Sequence, residues 1–315
     1  MTTPTKTTST LWVIVAFAVI YVVWGSTYFF IQMAIHGIPP FVMGAIRFLL
    51  AGMLMLAWCV FTGEKLGTLK KNKHVFISGV MMLFGGNGAL IWAEQSVPSG
   101  LAAILVSAGP IWFVLLDKSH WHINFKSKSI MSGLVIGFGG VVLLFSEQLS
   151  GALNTHSFAQ LPELCVLIFG SIMWASGSLY AKHKAHGTNA TVNATLQMLA
   201  AGIAFIPGIL INNELKGFSV STVPASAWWA VAYLVTFGSI IGFSAYVWLL
   251  KVRSAAQVST HSYVNPVIAV ILGVAFAGEQ ISIKQVIGLV IILCSVLLIN
   301  MATYRKAKRR KAATI

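Results

Sequence analysis

Hydrophobic positions along this chain gather into long uncharged runs separated by short polar connections, and ten runs of roughly 17 to 25 residues can be drawn. Each is long enough to cross a hydrocarbon core about 30 Å thick at about 1.5 Å of helix rise per residue. The pattern therefore predicts an all-α integral membrane protein with ten transmembrane helices. They fall near Leu11–Ile35, Phe41–Phe61, Val75–Trp92, Gly100–Leu116, Ile130–Ser146, Leu161–Ala181, Ala190–Ile211, Ala225–Leu249, Ala255–Ala277 and Val286–Met301.

The runs also repeat. Ile172-Met173-Trp174-Ala175-Ser176 restates Val22-Val23-Trp24-Gly25-Ser26, and Leu199-Ala200-Ala201-Gly202 restates Leu49-Leu50-Ala51-Gly52. Gly288-Leu289-Val290-Ile291 restates Gly133-Leu134-Val135-Ile136, and Trp248 and Pro266 fall where Trp92 and Pro110 sit. A shared order at a shift of about 150 to 156 residues points to duplication, where any one short match would not. Five runs per copy is an odd number, so the copies must cross in opposite senses. Inverted repeats of this kind characterise secondary transporters, whose substrate site lies at the repeat interface near mid-membrane. The expected organisation is a cytoplasmic segment 1–10, a first five-helix repeat 11–147, a second repeat 161–301 and a basic cytoplasmic tail 302–315.

Composition agrees with the membrane reading: 57% of residues are hydrophobic and 9% charged, with a mean hydropathy of +0.84. A polar, threonine-rich start and a long first run without a small-residue cleavage site predict that the first span is retained. Cys59, Cys165 and Cys294 lie in or beside hydrophobic runs with no short pair spacing, which argues against disulfides or a zinc site.

A net charge of +14 would suggest nucleic acid in a soluble protein, but its distribution decides otherwise. With Lys6 in the cytoplasm, Lys65, Lys70, Lys71 and Lys73, then Lys118, Lys126 and Lys128, then Lys182 and Lys184, then Lys251 and Arg253, and finally the Arg305–Lys311 tail all fall on that side. Only Lys216 and Lys284 fall on the other, together with Glu94, Glu147, Glu163, Glu214 and Glu279. This alternation is the positive-inside rule and puts both termini in the cytoplasm. The expected surroundings are lipid, with the tail against anionic headgroups, and no nucleic acid.

Trp24-Gly25-Ser26 in the first run, Ala45-Ile46-Arg47-Phe48-Leu49-Leu50-Ala51-Gly52 in the second, and Gly278-Glu279-Gln280 with Gly288 after the ninth complete a pattern over roughly residues 11 to 304 that resembles the EamA-type family of the drug/metabolite transporter superfamily. The resemblance implies a multi-pass exporter of small metabolites in the bacterial inner membrane. Amino acids or related amphipathic compounds are the implied substrates, moved through a central cavity between the halves. The first copy departs from the pattern: Asp117-Lys118-Ser119-His120-Trp121-His122 stands where the second has its glycine-glutamate pair.

Individual residues carry chemistry beside this resemblance. Arg47 lies well inside the second run, where a charge costs on the order of 3 kcal/mol unless it faces protein or water. It reads the carboxylate of a substrate, pairs with an outer-mouth acid (Glu94 or Glu279), or snorkels to headgroups. Its repeat counterpart is Gln197. Trp24 and Trp174 sit at mid-run, outside any interfacial belt, as paired cavity walls or as packing. The ninth run is the most polar, with His261, Tyr263 and Asn265 ahead of Pro266; His261 and Asn265, four apart, share a face. Pro266 and Pro110 are the expected helix breaks and hinges. His261 can titrate near neutral pH and couple transport to protons, or pack as a hydrogen-bonded core residue. Asn87 and Tyr28 complete a plausible polar lining. Gly133/Gly137 and Gly238/Gly242 have the spacing of close helix packing.

No nucleotide loop, metal-binding histidine pair on a helix or paired intramembrane acids appear, so no cofactor and no enzymatic site is expected. His120, His122, His183 and His186 fall in basic loops, where solvation is the plainer reading than metal. The leading expectation is a secondary active exporter working by alternating access. An uncoupled facilitative pore for the same solutes and, more remotely, a lipid-modifying membrane enzyme are the alternatives.

Overall fold

The computed structural model describes residues 9–97, 99–144, 146, 161–185, 188–277 and 282–312, and among these every regular element is helical. The first half contains α1 (Thr10–Ile35), α2 (Pro40–Phe61), a long α3 and three shorter helices. α3 runs from Leu69–Gly79 through a wide-turned π segment, Val80–Gly88, to Ala89–Ala93. After it come α4 (Ser99–Val106), α5 (Gly109–Leu116) and α6 (Lys128–Leu144). The second half repeats this order with α7 (Leu161–Lys184), α8 (Ala190–Ile211), α9, α10 (Ala255–Val258), α11 (His261–Ala277) and α12 (Ile283–Ala312). Like α3, α9 carries a π segment: Ala225–Tyr233, then Leu234–Phe243, then Ser244–Val252.

Seven of these helices are long and apolar enough to cross a membrane. The runs expected to span at 100–116 and 255–277 are helical but interrupted, and the one at 130–146 is the 17-residue α6, bent 99° from the short helical segment Lys118–Asn124 that precedes it. The interruptions are not at the prolines. The first falls at residues 107–108, and Pro110 instead occupies the first turn of α5, where a missing N–H costs nothing. The second falls at residues 259–260, while Pro266 lies inside α11. There the hydroxyls of Ser259 and Thr260 donate to the carbonyls of Ala256 (3.0 Å) and Gln257 (2.7 Å), satisfying acceptors the broken helix would leave open.

Helices at corresponding positions of the two halves pack on each other: α2 against α8, and α6 against α12. The contacts are reciprocal. A Cβ on Gly52 would meet Leu199 at 2.8 Å, and one on Gly202 would meet Leu49 at 2.7 Å. A Cβ on Gly133 would meet Ile299 at 2.6 Å, and one on Gly288 would meet the Leu144 backbone at 2.8 Å. Contacts in which i meets j and j meets i are what a two-fold axis produces. Glycine is required there because it lets the helix backbones approach closely.

The same relation surrounds α1 and α7. α1 packs against α9 and α11, and α7 against α3, α4 and α5, so the first helix of each half is held chiefly by the opposite half. Glu214, after α8, ties the halves together by accepting from the N–H groups of Val42 (2.9 Å) and Phe41 (3.2 Å) at the free start of α2. Burial holds its carboxyl above the ordinary 4.5, partly offset by those two hydrogen bonds.

Candidate functional site: a cavity between the halves

Where α1, α2, α3, α7, α9 and α11 converge, residues of both halves line a cavity of about 80 Å³. That is room for about three waters at their share of liquid volume. Its walls include Trp24, Tyr28, Arg47, Asn87, Trp174, His261 and Asn265.

Its aromatic wall is one interlocked cluster. The rings of Trp24 and Trp174 meet edge to face at 5.4 Å, and Tyr246 lies 5.0 Å from the first and 5.3 Å from the second. His261 sits edge-on to Trp24 at 4.9 Å. Such geometry is favoured by ring quadrupoles and fixes orientation as well as burying area. Trp24 Nε1 donates to the Gly238 carbonyl at 3.0 Å, in the π segment of α9. The Tyr246 hydroxyl shares a 2.6 Å hydrogen bond with Ser178, which also donates to the Trp174 carbonyl at 2.7 Å. Trp174 Nε1 leans towards Tyr246 without reaching normal hydrogen-bond geometry.

The cationic wall is Arg47, only 3% exposed. Nε donates to Ser239 Oγ at 2.9 Å, Nη1 to Asn87 Oδ1 at 3.3 Å, and the guanidinium lies 4.8 Å above the Phe48 ring. Nη2 makes no hydrogen bond among the described residues. A side chain at Gly238 would begin 3.1 Å from it, so glycine there keeps that nitrogen accessible. Four polar groups around the cavity are thus left unmatched among the described residues: the buried Trp174 Nε1, His261 Nε2 and Asn265 Oδ1, and Arg47 Nη2. Buried polar atoms are normally paired, so such a set asks for a ligand or ordered water.

Glu94 caps the end of α3 at 5% exposure, and neither carboxylate oxygen has a hydrogen-bond partner. It lies in the electrostatic field of Arg47 and beside Tyr28, but no ion pair within 4 Å joins it to Arg47 among the described residues. Glu94 is a buried group. Glu279 falls outside the described residues.

Tyr263 does not line the cavity. Completely buried, it donates to the Leu134 carbonyl of α6 at 2.9 Å and cements the α6–α11 contact. It lies two residues beyond His261, and a helix turns about 200° over two residues, so the residue faces away from its neighbour. Pro110 and Pro266 are likewise not where the helices are interrupted. Sequence reasoning missed Ser239 and Tyr246, whose roles come from the tertiary approach of α9 to α1 and α2.

The EamA-like transporter family matches the chain twice, over residues 10–146 and 161–301. The inner membrane transporter YedA of Escherichia coli (strain K12) is 34% identical over 288 residues, covering 90% of this chain and 89% of that protein. A protein named as a probable amino-acid metabolite efflux pump of Salmonella typhimurium is 22% identical over 292 residues, covering 91% and 93%. One solved crystal structure superposes with a TM-score of 0.75 at 18% identity, covering 93% of this chain and 99% of the other, a likeness of fold alone. Two halves built alike around a shared cavity, a family match over each half and a relative aligned along nine-tenths of the length lead to one conclusion: the chain belongs to the EamA-like transporter family.

Proposed function

We propose that this transporter is a secondary active exporter of small amphipathic metabolites, hydrophobic amino acids or close relatives, in the bacterial inner membrane. The observation that carries the proposal is one buried guanidinium with a free Nη2 on a cavity otherwise walled by indole, phenol and phenyl rings. A carboxylate on a compact apolar body matches both walls: Arg47 supplies charge-assisted hydrogen bonds, and Trp24 and Trp174 bury the body. The efflux role named for the Salmonella relative and the inner-membrane place named for YedA favour the same reading.

The two-fold packing supports alternating access. The reciprocal α2–α8 and α6–α12 contacts let one half rock against the other without unpacking either, and the interrupted segments flanking α7 and α1 absorb the change. Glu94 is the better proton carrier than His261: a buried carboxylate without a hydrogen bond in the field of a cation is stabilised alternately by a proton and by Arg47. The test is flux of a labelled amino-acid panel through sealed proteoliposomes, with and without a pH gradient, for the native chain, Arg47→Ala and Glu94→Gln. Selective flux that Arg47→Ala removes and that Glu94→Gln uncouples from the gradient is the expected result. Flux indifferent to every gradient would instead make the protein a facilitative pore.

A further inference from the structure

Away from the cavity, Asp117 caps the end of α5, His120 follows it by three residues, and His183 sits in the last turn of α7. Two of the three come from the first half and one from the second. His120 Nδ1 lies 3.0 Å from the Asp117 carboxylate, and His183 Nε2 lies 3.4 Å from it. All three donor atoms fall within 4.8 Å of one another. The two imidazoles are nearly parallel, 28° apart with centroids 6.2 Å apart.

We propose that Asp117, His120 and His183 form a binding site for one divalent transition-metal ion of the zinc type, clasping the two halves at the end where the charge pattern puts the cytoplasm. Zinc takes imidazole nitrogen and carboxylate oxygen at about 2.0 to 2.2 Å in a tetrahedron, whose neighbouring ligands are then about 3.3 Å apart. Two edges of the triangle already have that length, and closing the third requires only rotation of the histidine side chains. The carboxylate is held in place, being 5% exposed, whereas the histidines are 41% and 38% exposed. That combination leaves an entry path and a fourth position for water. Lys182 lies in the electrostatic field of Asp117, and Lys118 follows Asp117 in the chain. Lys118 is exposed, and the Lys182 ammonium is directed to the carbonyls of Leu250 and Arg253. Because the ligands come from both halves, a bound ion would hold this end shut and slow any transport that must open it.

The experiment is a zinc titration of the full chain, carrying no histidine tag, in detergent micelles against a chromophoric chelator, with cobalt absorption reporting the geometry. The expected result is one ion per chain with tetrahedral cobalt bands, weakened by about 10-fold or more in His120→Gln and His183→Gln and unchanged in the exposed control His122→Gln. Glutamine keeps a hydrogen-bond donor for Asp117, so folding, checked by gel filtration, survives the loss of the ligand. Absence of stoichiometric binding, or binding equally tight in both variants, would overturn the proposal and leave a hydrogen-bonded His–Asp–His clasp. Zinc inhibition of flux, reversed by a chelator and lost in the same variants, is the second readout; binding itself is independent of which solute the transporter carries.

Discussion

Replacing Arg47 by glutamine separates a substrate-reading arginine from a structural one. In the native chain Nε and Nη1 are committed to Ser239 and Asn87, so the guanidinium is aimed before any substrate arrives. A hydrogen bond to a charged group is worth about 1.5–3 kcal/mol. If the substrate carboxylate takes such bonds from Arg47, their loss raises the half-saturating concentration by roughly 10- to 150-fold at 1.4 kcal/mol per decade. Stability should move the other way or not at all. A buried cation without an ion pair within 4 Å is costly, and a neutral amide that can still reach Ser239 relieves that cost.

The assay is paired: saturation curves for labelled substrate in proteoliposomes, and the unfolding midpoint of the same preparations in detergent. Weakened transport with an equal or higher midpoint is the expected outcome. A variant that transports normally would refute the site assignment. Loss of transport together with a lower midpoint would show that Arg47 holds the helices together and leaves the carboxylate reading without support.

Other consequences are sharper in their geometry. Gly242→Ala places a Cβ 2.7 Å from Trp24 Nε1, so the indole must swing off the Gly238 carbonyl; flux should fall while Gly139→Ala, which meets nothing within 4 Å, behaves as native. Trp24→Phe removes the indole–carbonyl hydrogen bond, at about 0.5–1.5 kcal/mol, measurable as a lower unfolding midpoint. Gly288→Val drives side-chain atoms into the Leu144 backbone and should cost about 1–3 kcal/mol or prevent accumulation in the membrane, as judged by fluorescence-detected gel filtration. For Glu214 the sign follows from its carboxyl being raised above 4.5 by burial: the folded state binds the proton more tightly than the unfolded chain, so this contribution is present at acid pH and fades as pH rises through the raised value. Glu214→Gln should flatten that part of the stability profile, and a variant whose profile keeps the native slope would refute the assignment.

Much of the frame is legible in hydrophobic runs, because a bilayer forces backbone polar groups into helices wherever a run is long enough. The runs beginning at Leu11, Phe41 and Ala190 match α1, α2 and α8 to within a residue at their starts. What the runs conceal is discontinuity. Nothing in the period of hydrophobicity distinguishes a π segment at Val80–Gly88 from regular helix, since the residues stay apolar and only the turn widens. Proline gave the right neighbourhood for two interruptions but the wrong residues: Pro110 sits in a first turn, where proline begins a helix as readily as it ends one, and Pro266 lies inside α11, beyond the interruption. At the cavity, charge and repeat position picked out Arg47, Trp24 and Trp174. Tyr263 was misplaced because a polar cluster on one run does not say which members face inward. The Asp117–His183 contact joins residues 66 apart in sequence and is invisible without the fold.

Among the described residues, the two-fold frame also explains why the arginine side and the glutamine side differ. Arg47 reaches across to Ser239 on α9, and its counterpart Gln197 reaches across to Ser78 on α3, its Nε2 donating at 2.8 Å, so each half hands a polar side chain to the third helix of the other. On the glutamine side the backbones close completely. A Cβ on Gly79 would lie 2.5 Å from the Gln197 Cα, and Gln197 is fully buried. On the arginine side the approach stops short, Gly238 leaves Nη2 open, and the space opens into the cavity. A symmetric pair of cations would repel and double the desolvation cost at one depth of the membrane. Keeping the charge in one copy and a neutral amide in the other places the candidate carboxylate site off the axis, on the α2 side of the interface.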